Sequence, residues 1–194
     1  MLIVPLLFGL LMTSAAGQSA QVLFERGLTW QQFYDAADVR RELWQTNTRR
    51  ARAIRPELVE RLRKAGSGLT LLAIAEASCS DSVNTVPFIA ELAARAGVEM
   101  RIISRAAGES ILERYQTPDG RGATPTIVLL RGGRDIGAWV ERPEALQAWF
   151  TSMTDIPMRE RVDRKLAWYE WDRGDSTIAG FLSLVERALG AGRF

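Results

Sequence analysis

Apolar and polar residues alternate along the middle of the chain in a pattern typical of an α/β domain. Residues 69–77 form a continuous apolar run of the length expected for a strand buried on both faces of a sheet. Residues 83–96 follow with helical periodicity and end at a glycine. Shorter segments complete the order β-α-β-α-β-β-α, with strands over 98–104, 126–130 and 136–140 and helices over 109–115 and 143–152.

This order predicts a mixed sheet rather than an all-parallel one. The last two strands are separated by a Gly-Gly turn and can form an antiparallel hairpin. The earlier strands are joined through helices and need crossover connections. We therefore expect one α/β domain over residues 69–152 whose sheet contains parallel and antiparallel neighbours.

Helical periodicity also marks both sides of this domain. Thr29 and Gln32 have the spacing of a capping box, and further helices are predicted over 39–50 and 56–64. Beyond the domain, helices are predicted over 158–171 and 177–189. We expect these N-terminal and C-terminal extensions, residues 17–68 and 153–194, to pack on the domain. Three aromatic residues of the second extension are expected to form a packing stripe rather than a platform for stacking bases: Trp168, Tyr169 and Trp171.

The first sixteen residues have the pattern of a secretory signal peptide. Residues 1–12 are apolar, and Ser14 and Ala16 give the small-x-small pattern of a cleavage site. The apolar run is shorter than the about 20 residues of a membrane span, so no integral span is expected in the mature chain. These features predict export, to the periplasm or outside the cell. However, no Lys or Arg precedes the apolar run, and a start at Met12 would give a cytoplasmic protein.

Composition excludes several classes of enzyme. The chain has 194 residues, 47% of them hydrophobic and 25% charged, as in an ordinary globular protein. It contains no histidine, which excludes Ser-His-Asp and Cys-His catalysis and zinc sites that use His. A single cysteine excludes an internal disulfide and Cys-rich metal clusters. We therefore expect no metal site and no bound cofactor.

The distribution of charge argues against a nucleic-acid partner. There are 25 basic and 23 acidic residues, for a net charge of +2, and the acids are spread along the whole chain. Arginines concentrate in the predicted N-terminal helices, where interleaved glutamates favour a solvated surface. A partner-binding basic patch is the alternative for these arginines: Arg40, Arg41, Arg49, Arg50, Arg52, Arg55, Arg61 and Arg63.

The only cysteine, Cys79, lies where the buried strand gives way to a helix. The first turn of a helix has unpaired N–H groups and a positive dipole end, which favour a thiolate. Glu76 and Asp81 place carboxylates near the sulfur and would oppose this effect, unless an arginine approaches. The alternative is that Cys79 is a small buried apolar residue with no chemical role.

The residues around Cys79 resemble the thioredoxin superfamily. A strand leads into the motif Cys79-Ser80-Asp81-Ser82, a helix with Pro87 follows, and Thr124-Pro125 opens a later strand. The resemblance implies a thioredoxin-like fold with extra N-terminal and C-terminal helices. It also implies a cis peptide bond before Pro125, with Thr124 and Pro125 holding the substrate chain.

A closer resemblance is to bacterial thioredoxin-like proteins that have a helical N-terminal preface and a single-cysteine C-x-D motif. The preface is matched by Arg41-Glu42-Leu43-Trp44, and the core motif by Glu76, Cys79, Asp81, Asn84 and Pro87. The chain departs from thioredoxins in having Ser82 in place of a second cysteine, Ala73 in place of a buried acid, and 139–141 in place of a groove glycine. A thiol-disulfide role would therefore proceed without a disulfide inside the motif.

Two main hypotheses follow. In the first, the protein is a monothiol oxidoreductase: the Cys79 thiolate attacks a protein disulfide or a glutathione mixed disulfide, the Ser80 and Asp81 N–H groups stabilise the sulfur, and an external thiol such as glutathione completes the cycle. In the second, it is a non-catalytic adaptor whose groove beside Pro125 binds an extended peptide by β-strand addition. A third role, in which the arginine-rich preface binds a partner, is also open.

Overall fold

The computed structural model describes residues 19–190. The predicted signal peptide, residues 1–16, lies outside the described residues. Along the chain the elements are α1 (Ala20–Arg26), β1 (Leu28–Thr29), α2 (Trp30–Ala36), α3 (Arg41–Ala51), α4 (Pro56–Ala65), β2 (Leu69–Ile74), α5 (Ser80–Ala96), β3 (Glu99–Ile103), α6 (Glu109–Arg114), β4 (Thr126–Arg131), β5 (Arg134–Val140), α7 (Glu144–Ser152), α8 (Met158–Asp172) and α9 (Asp175–Gly190).

The strands form one mixed sheet in the order β1-β3-β2-β4-β5. Strand β2 lies at its centre, parallel to β3 and antiparallel to β4, with Leu71 opposite Met100 on one side and Leu129 on the other. Strands β4 and β5 form the expected hairpin. The predicted mixed α/β fold is therefore confirmed.

Alternate residues of the central strands enter two apolar clusters on opposite faces of the sheet. Leu71 and Ala73 belong to the larger cluster, whereas Leu72 and Ile74 belong to the smaller one. Successive side chains of a strand point to opposite faces, so a strand covered on both sides is apolar throughout. This explains the continuous apolar run from which β2 was predicted.

Helices from both predicted extensions contribute to the larger cluster. Trp44 of α3, Leu62 of α4 and Phe181 of α9 are fully buried there, beside α5. The smaller cluster is covered by α1 and α6. Helices of both extensions thus contribute to the same core as the central strands. Within residues 19–190 no helix is long and apolar enough to cross a membrane.

The structure differs from the sequence predictions at three places. Helix α1 and strand β1 were not predicted. Gly27 separates them and passes close to β3: a side chain at this position would place its Cβ 2.8 Å from the Cβ of Arg101. Strand β2 ends at Ile74, and α5 begins at Ser80 rather than residue 83. The predicted aromatic stripe was wrong for Trp171, which is 78% exposed, whereas Tyr169 is buried.

Candidate functional site

Cys79 is the N-cap residue of α5, at the end of the loop that leaves β2. Its partly exposed Sγ accepts a hydrogen bond from the Ser82 N–H at 3.5 Å. The thiol also donates to the Thr124 carbonyl at 3.2 Å, and the Thr124–Pro125 peptide bond is cis, as predicted. The fold thus brings Cys79, Ser82, Thr124 and Pro125 together from segments 45 residues apart.

The two hydrogen bonds of Cys79 favour opposite protonation states. The Ser82 N–H can donate to a thiol or, more strongly, to a thiolate. The Thr124 carbonyl has no proton to give, so it can accept only from the thiol. A change that removes the carbonyl from the sulfur, such as binding of another chain at Thr124, would therefore favour the thiolate.

Helix α3 holds the cysteine loop from the N-terminal side. The indole Nε1 of Trp44 donates to the Ala77 carbonyl at 3.1 Å, and the Arg40 Nε, just before α3, donates to the Ser78 carbonyl at 2.8 Å. The two carbonyls directly before Cys79 are therefore bound by the preface. In the sequence, the motif Arg41-Glu42-Leu43-Trp44 indicated a family resemblance, but no contact was predicted for Trp44.

Asn47 of α3 compensates for the proline inside α5. Pro87 has no N–H, so it cannot bond to the Val83 carbonyl one helical turn earlier. The buried Asn47 amide donates to this carbonyl at 2.9 Å, and also to Asn84 Oδ1 at 2.9 Å. Asn84 in turn donates to the Ser80 carbonyl at 2.8 Å. The preface thus completes the hydrogen bonding of the helix that begins at the cysteine.

Asp81 is buried and faces the C-terminal extension. Its carboxylate accepts from Lys165 Nζ at 2.6 Å and from the Tyr169 hydroxyl at 2.8 Å, and Arg142 Nη2 lies 3.5 Å away. The sequence left open whether an arginine approaches the carboxylates near the sulfur; Arg142 does approach Asp81, and Lys165 lies closer to it still. The negative charge of Asp81 is therefore compensated and opposes the thiolate less than a bare carboxylate would.

Asp81 belongs to a buried charge cluster formed by Asp81, Glu141, Arg142, Lys165 and Tyr169. Arg142 pairs with Glu141, and Lys165 also donates to Ser80 Oγ at 3.0 Å. The pKa of Tyr169 is raised well above its usual value, first by burial and then by the Asp81 charge. Tyr169 therefore remains a neutral donor to Asp81.

Sequence reasoning did not assign Glu141, Arg142 or Lys165 to the site. Lys165 lies 84 residues from Asp81, so no local pattern connects them. One signal was present: Lys165 and Tyr169 are four residues apart and share a face of α8. That face was interpreted as apolar packing.

Glu76 was predicted to modulate the cysteine. Its carboxylate accepts from the Arg105 N–H at 2.6 Å, and its own N–H donates to Ser82 Oγ at 3.4 Å. Glu76 therefore joins the cysteine loop to the segment after β3. Among the described residues, no three Cys, Asp or Glu side chains lie close enough together to hold a metal ion.

Comparisons with known proteins identify the family to which this fold belongs. A thioredoxin family model, Thioredoxin_9, matches residues 27–154. The chain therefore belongs to this thioredoxin family. No curated protein matches it.

Two solved structures share the fold. The chain is 20% identical to a protein of unknown function from Pseudomonas aeruginosa, with a TM-score of 0.69, over 88% of this chain and 99% of that one. It is also 20% identical to an HIV epitope-scaffold, with a TM-score of 0.67 over the same shares. At this identity the similarity shows the fold alone.

Proposed function

We propose that this thioredoxin-fold protein is a monothiol thiol-disulfide oxidoreductase with Cys79 as its nucleophile. The observation that carries the proposal is the position of the sulfur. It lies at the N-terminus of a 17-residue helix, accepts the Ser82 N–H, and contacts the carbonyl directly before Pro125. Helix N-termini stabilise thiolates and so increase the reactivity of a partly exposed cysteine.

The proposed reaction has two exchange steps. The Cys79 thiolate attacks one sulfur of a disulfide, forming a mixed disulfide with Cys79 and releasing the other sulfur as a thiolate. An external thiol, such as glutathione, then attacks the mixed disulfide. This restores the Cys79 thiolate and leaves the external sulfur bonded to the substrate sulfur. With a protein disulfide, a second external thiol then reduces this product. With a glutathione mixed disulfide attacked at the glutathione sulfur, the product is glutathione disulfide and the cycle is complete.

The proposed substrates are protein disulfides and glutathione mixed disulfides. At the start of α5 the N–H group bonded to Sγ is that of Ser82 rather than those predicted, of Ser80 and Asp81, and the side chains of these two residues are held by Lys165. Thr124 and Pro125 offer a main-chain edge beside the sulfur. A substrate chain bound there would compete with the thiol for the Thr124 carbonyl, which favours attack by the thiolate.

Alkylation kinetics test the nucleophile. We expect Cys79 to be alkylated by iodoacetamide at neutral pH, and a glutathionylated peptide to be reduced beyond one equivalent per protein only when glutathione is supplied. Asp81→Asn should react faster because Lys165 and Arg142 would then leave net positive charge near the sulfur. Circular dichroism must first show that this variant folds. Cys79→Ser is the control and should lose all turnover.

Ser82→Cys tests the position of the sulfur independently. Ser82 is fully buried, and its N–H already lies 3.5 Å from Sγ of Cys79. A thiol at this position should form a disulfide with Cys79, detectable by mass spectrometry. If no internal disulfide forms and Asp81→Asn leaves the alkylation profile unchanged, Cys79 is not the nucleophile.

A second candidate function is a non-catalytic peptide-binding module. It is favoured by the hydrogen bond from the thiol to the Thr124 carbonyl, which stabilises the less reactive protonated form. Under this proposal, natively purified protein would contain an unmodified thiol. A glutathione or protein adduct on Cys79 would instead support the oxidoreductase.

Export is proposed separately, on the pattern of residues 1–16. N-terminal sequencing of the mature protein purified from its source should begin at Gly17. A chain that begins at Met12 or Thr13 would contradict export and support the cytoplasmic alternative.

A further inference from the structure

Apart from the site at Cys79, a cavity lies between strand β5 and helices α7 and α9. Its volume is about 840 Å³, within the range of small-molecule sites. Apolar side chains make up much of its wall, with Trp139 and Val140 from β5 and Leu184 from α9. None of the residues that line it belongs to the cysteine motif.

The wall of this cavity contains buried donors that the rest of the described chain does not use. Arg142 is only 6% exposed, and its Nε and Nη1 have no hydrogen-bond partner among residues 19–190. The Nε1 of Trp139, which is 7% exposed, also has none there. Buried polar groups without partners are rare in folded proteins. These donors therefore point to an acceptor that is not part of the described chain.

The balance of groups favours an anionic acceptor. Gln147 Oε1 is the one buried acceptor of this wall that lacks a partner within residues 19–190, against three buried donor atoms on Arg142 and Trp139. Arg187 and Glu144 are exposed at the wall and their charges offset each other. The guanidinium of Arg142 is thus the buried charge that a ligand would meet.

We propose that this cavity binds a small amphipathic carboxylate. The apolar body of the ligand lies against Trp139, Val140 and Leu184, and its carboxylate accepts from Arg142 and Trp139. Nη2 of Arg142 remains on Glu141 and near Asp81. The ligand therefore completes the hydrogen bonding of a side chain that belongs to the buried charge cluster.

Isothermal titration calorimetry with decanoate tests the proposal on the whole protein. Decanol, which has the same chain but no charge, should bind at least about tenfold more weakly, the factor expected for hydrogen bonds to a charged group. Acetate, which has the charge but no apolar chain, should show no measurable binding. Equal affinity for decanoate and decanol, or no binding of decanoate at millimolar concentration, would overturn the proposal.

A matched pair of variants locates the binding. Ala148 and Ala145 are both exposed on α7, but only Ala148 lines the cavity. Ala148→Phe should fill the cavity and weaken decanoate binding at least about tenfold, whereas Ala145→Phe should leave it unchanged. If both variants bind decanoate as the wild type does, the ligand is bound elsewhere.

Arg142→Lys tests the polar end of the site. The change keeps a cation for Glu141 and Asp81 but removes the Nε and Nη1 donors, so the preference for decanoate over decanol should fall. Cys79→Ser should bind decanoate like the wild type, because the cavity does not include the cysteine. Failure of the monothiol chemistry would therefore leave this proposal standing, and the reverse also holds. An unchanged preference in Arg142→Lys would overturn the assignment.

Discussion

The cysteine loop is supported on two sides by different kinds of interaction. On the N-terminal side, Trp44, Arg40 and Asn47 donate to main-chain carbonyls, and two of these three side chains are neutral. On the C-terminal side, Lys165 of α8 and Arg142 after β5 approach the carboxylate of Asp81 in the interior. One side thus holds the backbone of the loop, and the other holds a charge on α5.

This difference predicts how strongly a substitution on each side destabilises the protein. A buried charge that loses its partner is costly because desolvation is no longer offset by attraction. A carbonyl that loses its donor costs less, since it is not charged. The C-terminal side should therefore be more sensitive to single substitutions, although the N-terminal side makes more contacts with the loop itself.

The largest expected effect is that of Lys165→Met. Removing this ammonium leaves Asp81 buried with Tyr169 and a more distant Arg142, and we expect a loss of about 3–5 kcal/mol in the free energy of unfolding. Urea denaturation followed by circular dichroism measures it. Arg164→Met on the same helix removes an exposed i,i+4 pair and should cost less than about 1 kcal/mol. Equal losses in the two variants would mean that the buried pair of Lys165 and Asp81 stabilises the protein no more than the exposed pair of Arg164 and Glu160.

Tyr169→Phe should have the next largest effect. It removes one hydrogen bond to the Asp81 carboxylate and should cost about 1.5–3 kcal/mol near neutral pH. The same urea measurement applies. Tyr34→Phe is the control, since Tyr34 is only partly buried and packs beside Arg41.

The pH dependence of stability in the wild type and in Tyr169→Phe gives a second check. Because the pKa of Tyr169 is raised in the folded state, the unfolded chain loses this proton first as the pH rises above about 10. Wild-type stability should therefore fall above that pH more steeply than that of Tyr169→Phe. If the stability of the two proteins falls equally as the pH rises, the fold does not raise the pKa of the Tyr169 hydroxyl.

On the N-terminal side, Asn47→Leu should destabilise the protein by about 1–3 kcal/mol, because the Val83 carbonyl loses its donor. Pro87→Ala restores a backbone N–H that can bond to that carbonyl. In a double-mutant cycle, Asn47→Leu should therefore cost less in the Pro87→Ala background. Additive losses would contradict the compensation of Pro87 by Asn47.

The smallest expected effect concerns Arg50 and Glu170, which join α3 and α8 across the two sides. The pKa of Glu170 is lowered, mainly by its hydrogen bond to Arg50. Because Glu170 is largely exposed and Arg50 partly so, Glu170→Gln should cost less than about 1 kcal/mol at pH 7. This contribution is present above the usual pKa of 4.5 and is lost as the pH falls through the lowered value. Urea curves at pH 7 and pH 3 should show the difference shrinking, and a constant difference would exclude the ion pair as its source.

Most of the sheet could be predicted because its signals are local. The run 69–77 and the Gly-Gly turn before β5 each depend on neighbouring residues, and the capping box of Thr29 and Gln32 is present as predicted. Strand β1 could not be predicted in this way. It has two residues, and within residues 19–190 it pairs only with β3, more than 70 residues later.

The motif around Cys79 was visible in the sequence, including its carboxylate at Asp81 and the proline at 125. What surrounds it was not. The partners of Asp81 come from α8 and from the end of β5, and the donor to Val83 comes from α3. Side chains separated by many residues meet only when the sheet and helices have packed. The sequence by itself therefore determined the fold class and the place of the single cysteine in it, whereas only the tertiary structure decided which charges and hydrogen bonds surround that cysteine.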